Sequence, residues 1–191
     1  MIATLQPQPM TIAEYLAWEP LQERRYEYVN GAVIAMTGGT IPHNDIALNF
    51  YRALYPHVRS NACRINVADV KVEVSSTSPY YYPDVVVTCD PRDVTARKLI
   101  RYPKLIVAVL SPGTEAKDRG EKFAHYRSSP TLEAYVLIES EKVSVECYRR
   151  GEGRLWLYTP YTAGDRLALE SIAFSCPIEL LYEDVRFERE E

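Results

Sequence analysis

The stretch Tyr80-Tyr81-Tyr82-Pro83-Asp84-Val85-Val86-Val87 sets a single acid at the head of a β-branched run. Proline is tolerated at the first residue of a strand, where its missing N–H costs no ladder bond. Pro83 therefore places Asp84 at a strand mouth with an apolar strand behind it. A carboxylate on a rigid element suits a hard divalent cation, which takes oxygen ligands and needs them held in place. The plain alternative is that Asp84 caps a turn or pairs with a surface lysine. A Pro-Asp pair alone does not separate the two.

A second apolar run, Pro103-Lys104-Leu105-Ile106-Val107-Ala108-Val109-Leu110, is stopped by Ser111-Pro112-Gly113 and followed by Thr114, Asp118, Lys122 and Tyr126. Upstream stand Tyr26-Glu27-Tyr28-Val29-Asn30-Gly31 and His43. In order and spacing these pieces resemble the Uma-type restriction endonuclease family, a bacterial group within the PD-(D/E)XK nuclease superfamily. The resemblance runs from about Thr11 to Glu139. It implies an α/β fold with a restriction-endonuclease-like core, a mixed β-sheet flanked by helices. It also implies a carboxylate cluster holding Mg²⁺ or Mn²⁺, and DNA as the substrate. Such a metal acidifies a water, polarises the scissile phosphate and steadies the leaving oxygen. Carried over by position, Asp84 matches the central metal-binding aspartate and Glu27 an acid on the first hairpin near the metal. Lys122 matches a lysine on the following helix that stands in for the strand lysine of the E-x-K motif.

Here the chain departs from the pattern. The family segment reads Val-Glu-Val-Leu-Ser-Pro, whereas this chain reads Val107-Ala108-Val109-Leu110-Ser111-Pro112. The motif's second acid is absent, and Leu110 stands where an E-x-K lysine would. Losing one strand carboxylate removes charge and a ligand together, so metal binding is expected to be weak and the transition state less well stabilised. Glu27 or Glu73 could restore the charge. Two readings follow: a Mg²⁺-dependent DNA endonuclease, weakened or silenced at position 108, and a non-catalytic nuclease-fold module that binds nucleic acid or a protein partner.

The remaining candidates each carry two readings. Asp118 and Lys122 are spaced i, i+4, which commonly gives an exposed helix pair worth about 0.2–0.5 kcal/mol; the resemblance instead turns Lys122 toward the sheet mouth. His43 reads as a capping residue or as support behind the site, and Asp118 as support behind the site. Tyr80–Tyr82 could stack on bases, yet with 15 tyrosines in the chain core packing is the simpler account. Arg97, Lys98 and Arg101, with Arg92 and Lys104, form the densest basic segment, a phosphate-contacting strip or an ordinary solvated loop.

The elements that must position these residues are visible in the pattern. Thr11 and Glu14 form a capping box ahead of Ile12, Tyr15 and Leu16. Asn30-Gly31 joins Arg25–Val29 to Ala32–Met36 as a hairpin, since a type I′ turn needs positive φ at both central residues. His43–Val58 carries an apolar stripe at helical spacing. Cys63–Val67 and Val70–Val74 read as strands, the second with Lys71 and Glu73 on a wet face. Asp84–Cys89 and Lys104–Leu110 read as strands buried on both faces, and they are expected to be neighbours with Asp84 and Ala108 facing one cleft. Thr114 to about Ser128 reads as a helix, then Ala134–Glu139, Val143–Arg150 and Arg154–Tyr158 as strands.

The chain has 191 residues, 47% hydrophobic and 25% charged, which suits one domain. Residues 1–10 are expected as a flexible N-terminal segment ahead of a single domain over 11–191. No apolar run approaches the roughly 20 residues that span a bilayer, so no membrane partner is expected. Met1–Pro9 lacks a secretion-signal pattern, and a cytoplasmic location is the expectation. A homo-oligomer is compatible with the sequence. Net charge is −4, which gives no general pull on a phosphate backbone but permits a local basic strip. Cys63, Cys89, Cys147 and Cys176 are widely spaced without a C-x-x-C pair, and are expected as buried thiols.

Overall fold

The computed structural model describes residues 9–187. It opens on α1 (Ile12–Trp18), where the Thr11 hydroxyl accepts from Glu14 N and the Glu14 carboxylate accepts from Thr11 N at 2.8 Å, the predicted capping box. A 3₁₀ turn, Glu19–Leu21, follows. β1 (Tyr26–Val29) and β2 (Ala32–Ala35) pair antiparallel, with φ of 48° at Asn30 and 92° at Gly31 as the turn requires. Residues 1–8 of the expected flexible segment lie outside the described residues. Met10, by contrast, is tied down: its N–H donates to Gly31 O at 2.9 Å, and Tyr28 Oη donates to Met10 O at 2.8 Å. A Cβ added at Gly31 would stand 2.7 Å from Pro9 Cβ as well as forcing positive φ on a side chain. Gly31→Ala is therefore expected to cost about 1–3 kcal/mol, read from denaturant melts; an unchanged midpoint would show that the Pro9 segment yields freely.

α2 (Ile41–Ser60) is capped by Thr40, whose hydroxyl accepts from His43 N at 3.3 Å. It starts two residues before the predicted helix because Pro42 suits a first turn, where no intrahelical N–H is needed. Then come β3 (Arg64–Val67), β4 (Lys71–Glu73), β5 (Tyr80–Tyr81), β6 (Val85–Thr88), the short α3 (Pro91–Val94), β7 (Leu99–Ile100) and β8 (Leu105–Leu110). The expected helix after Thr114 is broken into α4 (Glu115–Lys117), a π-helical turn (Asp118–Lys122) and α5 (Phe123–Tyr126). Gly120 weakens the α preference there. Arg119 is also drawn outward to Glu139 and Glu146. β9 (Ala134–Glu139), β10 (Ser144–Arg150), β11 (Trp156–Thr162) and the hairpin β12 (Arg166–Leu169) and β13 (Phe174–Pro177) complete the order. β11 runs four residues past the predicted strand and through Pro160, tolerated because β11 lies at a sheet edge.

The main sheet has the order β11-β10-β9-β8-β6-β3; a second runs β2-β1-β5-β4-β7. β8 and β9 are parallel, and the helical segment between them supplies the crossover that parallel neighbours need. β6 is antiparallel to both β3 and β8. The main sheet is therefore mixed, as expected. One of its faces packs Val85, Val87, Val107 and Val109 on the Ile46, Phe50, Leu54 and Val58 stripe of α2. The other buries Val86, Ile106, Ala108 and Leu110 with Val72, Tyr126 and Tyr135. Both faces of β6 and β8 are dry, which explains their unbroken β-branched runs.

Two expectations are overturned. The alternation over Val70–Val74 implied a wet face, but Lys71 is buried, because the turn after α1 covers it and Glu19 meets its ammonium at 2.9 Å. The cysteines were expected as four thiols. Cys63 and Cys89 instead form a disulfide, while Cys147 and Cys176 are free and buried. The β3–β6 register pairs Arg64 with Thr88, so its next step sets Cys63 opposite Cys89 despite a separation of 26 residues. Among the described residues no helix is long and apolar enough to cross a membrane.

Candidate active site

The register that pairs Val85 with Val107 continues to Asp84 opposite Ala108. Side chains alternate along a strand, so both point to the face away from α2. They open on one cleft of about 200 Å³, walled by β1, β2, the 36–40 loop, the first turn of α2 and the π turn. Glu27, His43, Asp118 and Lys122 line the same cleft. Six positions singled out from sequence, Ala108 included, are thus brought together from residues 27 to 122.

Asp84 is held from two sides. Val109 N donates to Oδ2 at 2.7 Å, and His43 Nε2 stands 3.5 Å from Oδ1. Burial pushes the Asp84 carboxyl above its usual range, and Asp118 adds to the rise; His43, the Val109 N–H and Lys122 pull it back without overcoming burial. Lys122 Nζ lies 2.7 Å from Glu27 Oε1 and 3.3 Å from Asp118 Oδ1. It sits off the hydrogen-bonding direction of Glu27 Oε1, so that buried oxygen is charge-paired but not hydrogen-bonded. Burial works against the Lys122 ammonium, but Glu27 and Asp118 outweigh it and hold its pKa above the usual lysine value. The predicted Asp118–Lys122 pair therefore exists, in a buried setting and not on an exposed helix face.

Other predicted residues stand apart. Arg97 and Lys98 are exposed, and Arg101 pairs with Glu73 at 2.9 Å. This basic segment leads into β8 at its Leu105 end, away from Ala108. Glu73 does not line the cleft. Tyr80, Tyr81 and Tyr82 are buried, in keeping with core packing over base stacking, although Tyr82 also lines the cleft. Sequence reasoning missed Lys117, which lines the cleft 3.9 Å from Glu27 Oε2. Only the π turn puts it there, and the one local hint was Gly120.

The donors suit a hard cation. Three carboxylates face two ammonium groups, and Asp84 is a half-buried acid short of positive charge. A cation would relieve it. The shell is incomplete, however: among the described residues no three His, Cys, Asp or Glu side chains converge on one point. Mg²⁺ tolerates this, since it commonly keeps waters and one or two carboxylates, taking further ligands from substrate phosphates.

The fold and the cleft define a restriction-endonuclease-like protein. Residues 12–179 match the Uma2 family, described as "Putative restriction endonuclease", and the chain belongs to that family. It is 40% identical over 174 residues to the uncharacterised protein slr1290 of Synechocystis sp., covering 91% of this chain and 92% of that one. It is 32% identical over 152 residues to the uncharacterised sll1609 of the same organism, covering 78% and 86%. A crystal structure from Anabaena variabilis, described as a "putative nuclease belonging to DUF820", shares the fold with a TM-score of 0.75 at 17% identity, covering 92% of this chain and 98% of that one. Family and fold together support a nuclease-like function.

Proposed function

We propose that the chain is a divalent-metal phosphodiesterase of the PD-(D/E)XK type acting on DNA, with its metal affinity reduced by Ala108. The observation that carries this reading is the convergence of Asp84, Ala108, Glu27 and Lys122 on one cleft. A cation held by Asp84 with Glu27 beside it would supply Lewis acidity to the scissile phosphate and to a water. The chain's own groups set the stage for that. The Val109 N–H and His43 fix the orientation of Asp84. Lys122 pairs with Glu27 and Asp118 inside the cleft and adds positive charge where a phosphate must enter. The alanine at position 108 favours one competing reading, a nuclease-fold module that binds nucleic acid without cutting it.

Asp84→Asn tests the proposal with two opposite readouts. Asparagine keeps an acceptor for Val109 N but has no charge. A carboxyl whose folded pKa is raised binds its proton more tightly in the folded state, so its ionised form destabilises the fold as pH rises through that pKa. Asp84→Asn should therefore melt higher than the native chain at pH 7, with the gain vanishing toward strongly acidic pH. Stabilisation by Mn²⁺ or Mg²⁺ and any cleavage of DNA should be lost together. Metal-dependent cleavage that survives the substitution would place the site elsewhere.

A further inference from the structure

The cleft contains two lysines in unequal settings. Lys122 Nζ is surrounded by committed partners: it is ion-paired with Glu27 at 2.7 Å and Asp118 at 3.3 Å, and the Tyr81 ring centroid is 5.3 Å away. Its side chain is 15% exposed. Lys117 is twice as open, at 30%, and its 3.9 Å approach to Glu27 is too long for a hydrogen bond. Among the described residues its ammonium makes no shorter ion pair. In an α-helix, residues five apart point about 140° away from each other. The π turn closes on residues five apart and so brings Lys117 and Lys122 to the same face.

That placement is rigid. Arg119, at the second position of the turn, pairs with Glu115 at 2.6 Å and with Glu146 at 2.9 Å, and also meets Glu139. It ties the turn to β9 and β10 through Glu139 and Glu146. A rigid mount with an uncommitted ammonium at its lip is suited to meeting an anion from solvent.

We propose that Lys117 is the residue that contacts the phosphate of a nucleic-acid backbone in the cleft, and that Lys122 is a positioning residue that holds Glu27 and Asp118. This rests on the reading of the cleft as a phosphodiester site. An ammonium that must leave Glu27 and Asp118 to reach a substrate gives up contacts it already has. Lys117 gives up almost none, and loses mainly water.

The test is binding of a short fluorescein-labelled DNA duplex by anisotropy, in buffer containing chelator, across a salt series. Lys117→Gln should weaken binding several-fold and make the slope of log affinity against log salt shallower by about 0.9, the signature of one lost phosphate contact. Lys117→Arg should restore both, and the melting temperature of Lys117→Gln should match the native chain. Asp84→Asn reports on the cleft itself, because removing a negative charge beside the phosphate should tighten binding. If Asp84→Asn tightens binding and Lys117→Gln changes nothing, the Lys117 assignment is overturned while the cleft stands. If neither substitution alters binding, or the native chain binds no duplex, both are overturned.

Discussion

Ala108→Glu is expected to create a metal response that the native chain has only weakly. Position 108 faces Asp84 across paired strands and lines the cleft, though its present side chain is only 7% exposed. A carboxylate there would sit near the half-buried Asp84, and without metal the repulsion of two neighbouring acids should destabilise the fold by about 1–3 kcal/mol. With Mg²⁺ or Mn²⁺ at about one hundred times its dissociation constant, linkage returns about 2.7 kcal/mol. For a domain of this size that is a rise of about 5–10 °C in melting temperature. The native chain should move far less, and cleavage of a DNA duplex should exceed the native rate. A folded Ala108→Glu protein with neither metal stabilisation nor cleavage would favour the non-catalytic module.

The largest loss of stability is expected at a buried pair behind the cleft, joined to it through Tyr82. Lys71 and Glu19 have side chains 7% and 3% exposed and meet at 2.9 Å, while Tyr82 Oη donates to the other Glu19 oxygen at 2.7 Å. The Lys71 ammonium also lies 4.5 Å over the Tyr15 ring. Lys71→Met would strand the Glu19 carboxylate with one hydrogen bond, at a cost of about 3–5 kcal/mol. The double variant with Glu19→Gln should recover most of it, since no charge is left buried. The pH dependence gives the sign. In the native chain burial raises the Glu19 pKa, but Lys71 and Tyr82 outweigh it and leave the pKa lowered. Its contribution is therefore present above the unfolded carboxyl pKa and lost as pH falls through the folded one. In Lys71→Met burial should win, so that variant should lose stability as pH rises from acid. Chemical melts from pH 3 to neutrality would check this; parallel curves for the two chains would refute it.

How much of this was legible depended on whether the determining interaction was local. The Thr11 cap and the Asn30-Gly31 turn are written in adjacent residues, and both occur where the pattern put them. The runs at Asp84 and Lys104 could be placed as neighbouring central strands because burial on two faces leaves a continuous apolar signature. That carried Asp84 and Ala108 to a common cleft. What failed was set across the fold. The wet face foreseen for Lys71 vanished under the turn after α1, whose contact lies 52 residues away. The Cys63–Cys89 link depends on strand register, which spacing along the chain does not encode. The π turn depends on Arg119 finding acids on β9 and β10, and with it went any chance of reading Lys117 as a cleft residue.

The sheet order has a further consequence for how the cleft comes into being. Ala108, Asp118 and Lys122 belong to one β8-helix-β9 unit of nearby residues, whereas Asp84 arrives by antiparallel pairing and Glu27 from a hairpin in the other sheet. Contacts between distant segments bear the greatest loop-closure entropy and tend to form late in folding. Asp118 and Lys122 can pair within that unit, but Asp84 and Glu27 join them only once both sheets have docked. A collapsed intermediate holding the parallel unit alone would carry the π turn but no Asp84 or Glu27. Occupancy of the cleft is in this sense coupled to global folding and not to any local segment, so a bound ligand should slow amide exchange across both sheets at once.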